Sequence, residues 1–447
     1  MSNPSPLAEF PAELLGKVFL HLLDWPAGKV FDDIYVIKQG FKVASVNRHF
    51  RSVAVDIPRL WSVIDFDCQH LKKDAARAER WTSYLNLVLQ RSSQAPLHIS
   101  LMYFDCSCGM QHDIFDKLTA QSHRWASFYI TYTKISTPML LRLFQVQVPK
   151  LQLATILSHD DQSRSIAGNR SNLTPLFSNA LKLTDLTIAM NIFEYCDFPR
   201  AIGQRLERLT LRIFQDRVGD THLFDIIQRC AAPSSLRELT LSKLPAGGRS
   251  YQYHGSSDNG IITLDRLEKL ELEDTVLIQI EPSLGRLQVP ALRQANIAGF
   301  SATKLEHREI LRSLCGTVKK LVLSCDSIMQ TEDESGSILS GIICQWCPEL
   351  RELDLRSCLI KLSDIEVLNS PTNQSHGLHS LRLPFCRFAT QDRADLIEGF
   401  KSFVESRINV GGDGSTRLAN LAMPGFDLKP SERAGIDELI NKVNRAA

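Results

Sequence analysis

Two cysteine pairs are the residues most able to do chemistry. Cys106-Ser107-Cys108 stands ahead of His112 and His123, and two thiolates with an imidazole can hold zinc. Structural zinc sites take four ligands in well-spaced pairs. Here a C-x-C with scattered histidines lacks the second pair, so the segment reads as a polar loop between two strands and no metal is expected. Cys344-Gln345-Trp346-Cys347 is a C-x-x-C, a spacing that in a redox protein activates one thiolate at a helix start. It stands just ahead of an apolar run beginning at Leu350, as Cys315 stands just ahead of Val318. Such equivalence argues for core packing rather than redox work. The chain has no H-E-x-x-H, no G-x-x-x-x-G-K-[ST], no G-x-S-x-G and no Rossmann glycine run. No catalytic residue, metal or cofactor is therefore expected, and the chain reads as a non-enzyme whose work is binding.

Composition narrows the kind of binding. The chain has 447 residues, 44% hydrophobic and 23% charged, with 51 basic and 50 acidic side chains. That is an ordinary globular balance, with length for about two or three domains of roughly 150 residues. A nucleic-acid platform needs clustered, uncompensated Lys and Arg, and a formal net charge of +1 provides no such excess. No apolar run approaches the roughly 20 residues that span a bilayer; stretches such as 338–343 are broken by Ser and Gly. Met1 to Glu13 lacks a basic region followed by an apolar one. The 11 cysteines, an odd and scattered set, fit reduced thiols better than a disulfide framework. The expectation is a protein of the cytoplasm and/or nucleus that binds neither nucleic acid nor membrane, in which the sequons at Asn172 and Asn373 go unused.

Leucine is the outlier, at 61 residues or more than one in eight. Much of it falls in the spacing L-x-x-L-x-L, whose second and third residues alternate onto one face of a short strand while the first closes the turn into it. Clear copies are Leu183/Leu186/Ile188, Leu206/Leu209/Leu211, Leu236/Leu239/Leu241, Leu267/Leu270/Leu272, Val318/Leu321/Leu323, Leu350/Leu353/Leu355 and Leu378/Leu381/Leu383. Trp125/Phe128/Ile130, Leu151/Ala154/Ile156, Leu292/Ala295/Ile297 and Leu418/Leu421/Met423 are weaker ones. The mean interval is about 28 residues, within the range of leucine-rich repeats. Asn191, Cys358 and Cys386 fall five residues after the second leucine, where such repeats bury an Asn or Cys to satisfy the turn leaving the strand. Helical pieces at Leu223 to Cys230, Glu306 to Leu314 and Ile338 to Trp346 give one strand and one helix per unit. Loops are expected at Pro245 to Gly260, Gln330 to Ser337 and Gly411 to Ser415. Stacked, the units predict a curved solenoid lined by strands.

The segment before these units is different. In 10–23, Pro11 followed by Glu13 starts a helix, and Leu14, Leu15, Val18, Phe19, Leu22 and Leu23 make a wide apolar stripe. A second apolar segment, Phe41 to Val55, completes a helical module too small for a self-sufficient core, so something must cover part of its surface. From Leu71 to Arg91 the spacing of Trp81, Leu85, Val88 and Leu89 predicts a connecting helix.

Phe10-Pro11, Leu14-Leu15, Val18-Phe19 and Leu22, then Val46-Asn47-Arg48-His49-Phe50, then Leu60-Trp61 resemble an F-box, with Phe10, Asn47 and Phe50 where the family has Leu, Cys and Trp. With Pro58-Arg59 before Leu60-Trp61 and the alternating Leu97/Ile99/Leu101, the chain resembles the expanded F-box set of mushroom-forming fungi that carry C-terminal leucine-rich repeats. The fold expected is α/β: a helical F-box module over 7–66, a connecting helix over 67–95 and a leucine-rich-repeat solenoid over 96–447. The resemblance implies a non-catalytic, substrate-recruiting subunit of an SCF ubiquitin ligase. Its partners would be a Skp1-like adaptor, through that adaptor a cullin, and an unknown protein substrate. Pro11, Leu14, Leu15, Val18, Val46 and Phe50 would be adaptor-facing or part of the module's own core. If the repeats are right, residues between the buried leucines line the concave face, among them Arg208, Glu238, Lys269, Glu271, Lys320, Glu352, Asp354 and Arg382. That mixture of signs suits a protein surface better than an apolar ligand. A leucine-rich-repeat interaction scaffold not engaged in ubiquitination is the other reading the sequence allows.

Overall fold

The computed structural model describes residues 10–21, 39–67, 75–105, 109–134, 137–158, 174–189, 192, 196–197, 199–213, 227–228, 235–243, 261–273, 287–300, 305–325, 342, 347–369, 377–389, 393–408 and 417–446. The chain divides into two compact units, Met1–Leu206 and Glu207–Ala447. Both are α/β and rest on parallel strands, with no closed barrel among the described residues.

The described residues of the first unit open with three helices, α1 (Ala12–His21), α2 (Gln39–Val46) and α3 (Arg48–Val55), and a short 3-10 turn, Pro58–Trp61. Pro11 starts α1 as expected, its carbonyl accepting from the Leu14 and Leu15 N–H groups. Asn47 has a local reason to be asparagine. It caps α3, its backbone extended and its side chain accepting from Phe50 N–H at 2.8 Å. At Gly40 a Cβ would come within 2.8 Å of the Leu60 carbonyl oxygen, so α2 meets the turn only because no side chain is there. Leu15, Phe19, Val43, Ala44, Val53, Ala54, Leu60 and Trp61 form the core, and the Trp61 indole N–H donates to Ala54 O at 2.8 Å.

The strands follow at once. β1 (Val63–Asp67) pairs with β2 (Leu97–Asp105), so the sheet starts well before Pro96, where the sequence pattern first shows strands. α4 (Ala75–Arg91), α5 (Gly109–Thr119) and α6 (Thr137–Gln145) alternate with β3 (Trp125–Lys134), β4 (Leu153–Ser158) and, after the two-residue β5 (Thr174–Pro175), β6 (Asp185–Ala189). β7 (Cys196–Asp197) pairs with β5, and α7 (Arg200–Gly203) ends the unit. Every pairing among the described residues is parallel, and the register sets Ile64, Ile99, Phe128, Ala154 and Leu186 in one row. Parallel neighbours need a crossover of a dozen residues or more, which is what the intervals supply. An aromatic chain ties the helical module to these strands: Phe41 to Trp61 at 4.9 Å, Phe41 to Tyr84 at 5.2 Å, and Trp81 to Tyr84 and Phe66 at 4.9 Å each. Burial there, with the Asp65 charge behind it, pushes the Tyr84 hydroxyl up to about 12.

The second unit places β8 (Arg208–Ile213), β9 (Glu238–Lys243), β11 (Lys269–Leu272), β13 (Gln294–Phe300), β14 (Lys320–Cys325), β15 (Glu352–Arg356), β17 (Ser380–Arg382) and β19 (Asn420–Ala422) side by side. Two-residue ladders join β10 (Ile262–Thr263) to β12 (Leu287–Gln288) and β16 (Leu359–Ile360) to β18 (Arg387–Phe388). Helices with described bounds are α8 (Leu305–Leu314), α9 (Leu362–Asn369), α10 (Arg393–Ile408) and α11 (Pro430–Ala446). The second residues of the leucine triples form one row across the ladders, Leu209, Leu239, Leu270, Ala295, Leu321, Leu353, Leu381 and Leu421, all buried. Intervening side chains are mostly half-buried or exposed, so one face of the sheet stays open. Four residues past Ala295, Leu353, Leu381 and Leu421 the turn repeats a left-handed backbone, at Gly299, Ser357, Phe385 and Gly425, and the next residue is buried: Phe300, Cys358, Cys386, Phe426. The Cys386 thiol donates to Leu355 O at 3.1 Å and its sulfur lies 3.4 Å from Cys358 N, so the thiol serves the neighbouring turn as the spacing predicts. α8 matches the helix expected at Glu306 to Leu314. Asn191, the expected loops, and the helical pieces at 223–230 and 338–346 apart from 227–228 and 342 lie outside the described residues.

Candidate functional site

Of the cysteines singled out from sequence, Cys315 and Cys347 fall among the described residues. His112 stands in α5, where a polar loop was expected, and His123 is the exposed residue of the short turn Ser122–Arg124; Cys106 and Cys108 lie outside the described residues. Among the described residues no three His, Cys, Asp or Glu side chains group as metal ligands would. Cys344 is also outside them. Cys347 is buried, and a hydrogen bond with Cys315, then burial, push its thiol well above the usual range, the opposite of an activated thiolate. No described helix is long and apolar enough to cross a membrane.

Two surfaces remain, the first on the helical module. Leu15 and Phe19 point into the core, at 3% and 2% exposure, while their neighbours Leu14 and Val18 are 46% and 50% exposed. Adjacent residues on a helix stand about 100° apart, so one broad apolar stripe is split between core and solvent. Phe10, two residues ahead of α1, extends this exposed apolar row along the chain at 38% exposure. The His49 Nε2 lies 2.8 Å from Phe10 O, which brings the start of that row beside the α2–α3 junction, where Val46 is 57% exposed. Pro11 is exposed too, and Phe50 half-buried with its ring 5.4 Å from Phe19. Of the six residues proposed from sequence, Pro11, Leu14, Val18 and Val46 thus face outward, while Leu15 and Phe50 build the module. An outward apolar row on so small a module is a surface that binding can cover.

The second surface is the open face of the second unit's sheet. Arg208, Glu238, Lys269, Glu271, Lys320, Glu352 and Arg382 stand on it half-buried or exposed, and Asp354 is nearly buried among them. Several of them meet in opposite-charge pairs within or between strands. Lys269 Nζ lies 3.8 Å from Glu238 and 3.6 Å from Glu271, and Lys320 lies 3.0 Å from Glu352. Glu271 also accepts from Asn296 Nδ2 at 2.7 Å. The list from sequence stopped one residue early on each strand. Continuing the alternation past the third apolar position adds Arg212, 3.1 Å from Glu273, and Arg356, 3.2 Å from Asp354. Both were available from the two-residue period. No family model matches the chain, and no curated protein is significantly similar to it.

Proposed function

We propose that the chain is a non-catalytic, substrate-recruiting subunit of an SCF (Skp1–cullin–F-box) ubiquitin ligase. The helical module docks on a Skp1-like adaptor through Pro11, Leu14, Val18 and Val46, and the adaptor joins a cullin. The strand units act as leucine-rich repeats whose open face holds a protein target. One observation carries this reading: an apolar row, Leu14, Val18 and Val46, lies outside a module that has already buried Leu15 and Phe19 in its own core. Such a row is stable in water only at a cost that a partner removes. The Phe41–Tyr84 contact, with Trp81 against Phe66, supports the docking role, because it fastens the docking face to the first unit's strands. Catalysis then belongs to other subunits, and this chain contributes by raising the local concentration of the target.

Co-expression with a Skp1-like adaptor and its cullin tests the reading. The wild-type chain should carry both through purification. A folded chain that retains neither would favour an interaction scaffold outside ubiquitination, whose helical module only packs on its own strands.

A further inference from the structure

Elsewhere on the open face single cations meet carboxylates, Lys320 one and Lys269 two, but at one end two guanidiniums share a single carboxylate. Arg356 reaches Asp354 from Nε to Oδ1 at 3.3 Å and from Nη2 to Oδ2 at 3.2 Å, and Arg382 Nη1 lies 3.8 Å from the same Oδ2. The Asp354 side chain is 9% exposed, whereas those of Arg356 and Arg382 are about half exposed. In the register Val322 precedes Asp354 and Ala422 follows Arg382, and neither carries charge. A carboxylate out of reach therefore orients two forks whose outer sides face solvent, with positive charge in excess among the described residues there.

An exposed aromatic adjoins this cluster. Phe385 sits in the turn leaving β17, three residues after Arg382, and is 70% exposed with φ +58°. A bulky L-residue is disfavoured in that backbone region, and two of the equivalent turns use Gly299 and Gly425 instead. The Phe385 ring lies over Gly425, where an added Cβ would come within 2.5 Å of it. The Ser357 N–H donates to Pro384 O at 3.1 Å, so the residue after Arg356 is stacked on the turn that bears Phe385. Neither the strain nor the exposure contributes to the core. A strained, exposed aromatic beside oriented arginines is what a recognition site requires.

We infer that Arg356, Arg382 and Phe385 form a subsite for an acidic protein segment, one that carries a carboxylate next to an apolar side chain. The carboxylate takes guanidinium N–H groups that Asp354 has already oriented, and the apolar neighbour covers the Phe385 ring. This names the chemistry of the target and rests on the open face being the recruiting surface.

The test is selection of a random dodecamer peptide library, displayed on phage, against the purified full chain. Enriched peptides should pair Asp or Glu with an aliphatic or aromatic neighbour and should weaken as salt is raised. The triple variant Asp354→Asn/Arg356→Gln/Arg382→Gln, which leaves no buried charge unpaired, should lose about tenfold or more of that affinity. Phe385→Gly relieves the backbone and should keep or raise the unfolding midpoint while losing affinity. A merely structural phenylalanine would do the reverse. Failure to enrich peptides, enrichment with no acidic bias, or full retention by the triple variant would overturn the proposal. The adaptor takes no part in the selection, so failure of the adaptor reading would appear separately, in the co-purification.

Discussion

Leu14 and Leu15 are neighbours of the same type, and the structure predicts opposite consequences for changing them. Fully burying a leucine or valine contributes about 1.5–3 kcal/mol. Leu14 and Val18 are about half covered already, so covering the remainder on binding adds about 1 kcal/mol each. Replacing both by alanine should weaken adaptor binding by about 2 kcal/mol, roughly thirtyfold. Leu14→Asp with Val18→Asp goes further, since two carboxylates must then lose their water in an apolar interface, and binding should fall below detection. The fold should survive: changes at exposed positions usually stay within about 0.5 kcal/mol, and an acid near the start of α1 is favoured by the helix dipole. Leu15→Ala instead opens a cavity in the module core at a cost of about 2–5 kcal/mol. Titration calorimetry with a purified Skp1-like adaptor, paired with thermal melts of each variant, reads both quantities. If the double aspartate variant melts like wild type and still binds with wild-type affinity, the outer row is not the docking surface.

Other variants test the supporting structure. Cys386→Val leaves the Leu355 carbonyl and the Cys358 N–H without their sulfur partner, and a denaturant midpoint should report a loss of about 1–3 kcal/mol. Asn47→Ala removes the α3 cap and should cost about 1 kcal/mol by the same measurement. Glu432 receives Arg393 at 3.0 and 2.9 Å and the Lys429 N–H at 2.8 Å, and these contacts, Arg393 foremost, hold its carboxyl down to about 2. A carboxyl held low in the folded chain stabilises it fully above the ordinary value of 4.5, and that contribution disappears as pH falls toward 2. Arg393→Met should therefore lower the melting temperature at neutral pH, with the two melting curves converging in acid. Parallel curves at every pH would exclude the pair as their cause.

The rows of the sheet could be read from the sequence because one constraint acts on every unit. A side chain at the second or third position of a triple points into the core, so only apolar residues are tolerated there, and Leu239 falls opposite Leu270, and Leu353 opposite Leu321, as their spacing demands. The division of the α1 stripe could not be read. Leu14 and Leu15 differ only in what packs on them, which α3 and the 58–61 turn decide. β1 was hidden because Leu60-Trp61 resembles the end of a motif, and Val63 to Asp67 become a strand only through pairing with β2. α5 was missed for a related reason: its thiol- and histidine-bearing surroundings drew attention to chemistry, while Ile114, Phe115 and Leu118 supply a core-facing side with just three residues. On the open face the alternation was legible but the pairing was not, since it depends on register rather than on sequence order.

That pairing bears on whether the face can bind at all, because charges already neutralised by one another are poor bait for a partner unless the pairs are weak. Lys320 and Glu352 stand directly opposite in the register, 3.0 Å apart, with side chains 46% and 50% exposed. A pair so wet loses most of its Coulomb attraction to solvent and spends side-chain entropy to stay closed, which leaves about 0–1 kcal/mol. An incoming charged segment can therefore replace either partner with little net penalty, and the ladder of pairs acts as a set of exchangeable contacts rather than as a clasp. A double-mutant cycle with Lys320→Ala, Glu352→Ala and both together, measured by denaturant unfolding, should return a coupling below about 1 kcal/mol. A coupling above about 2 kcal/mol, the size seen for desolvated charge pairs, would mean that the face is fastened for structure and that its charges are not available to a target.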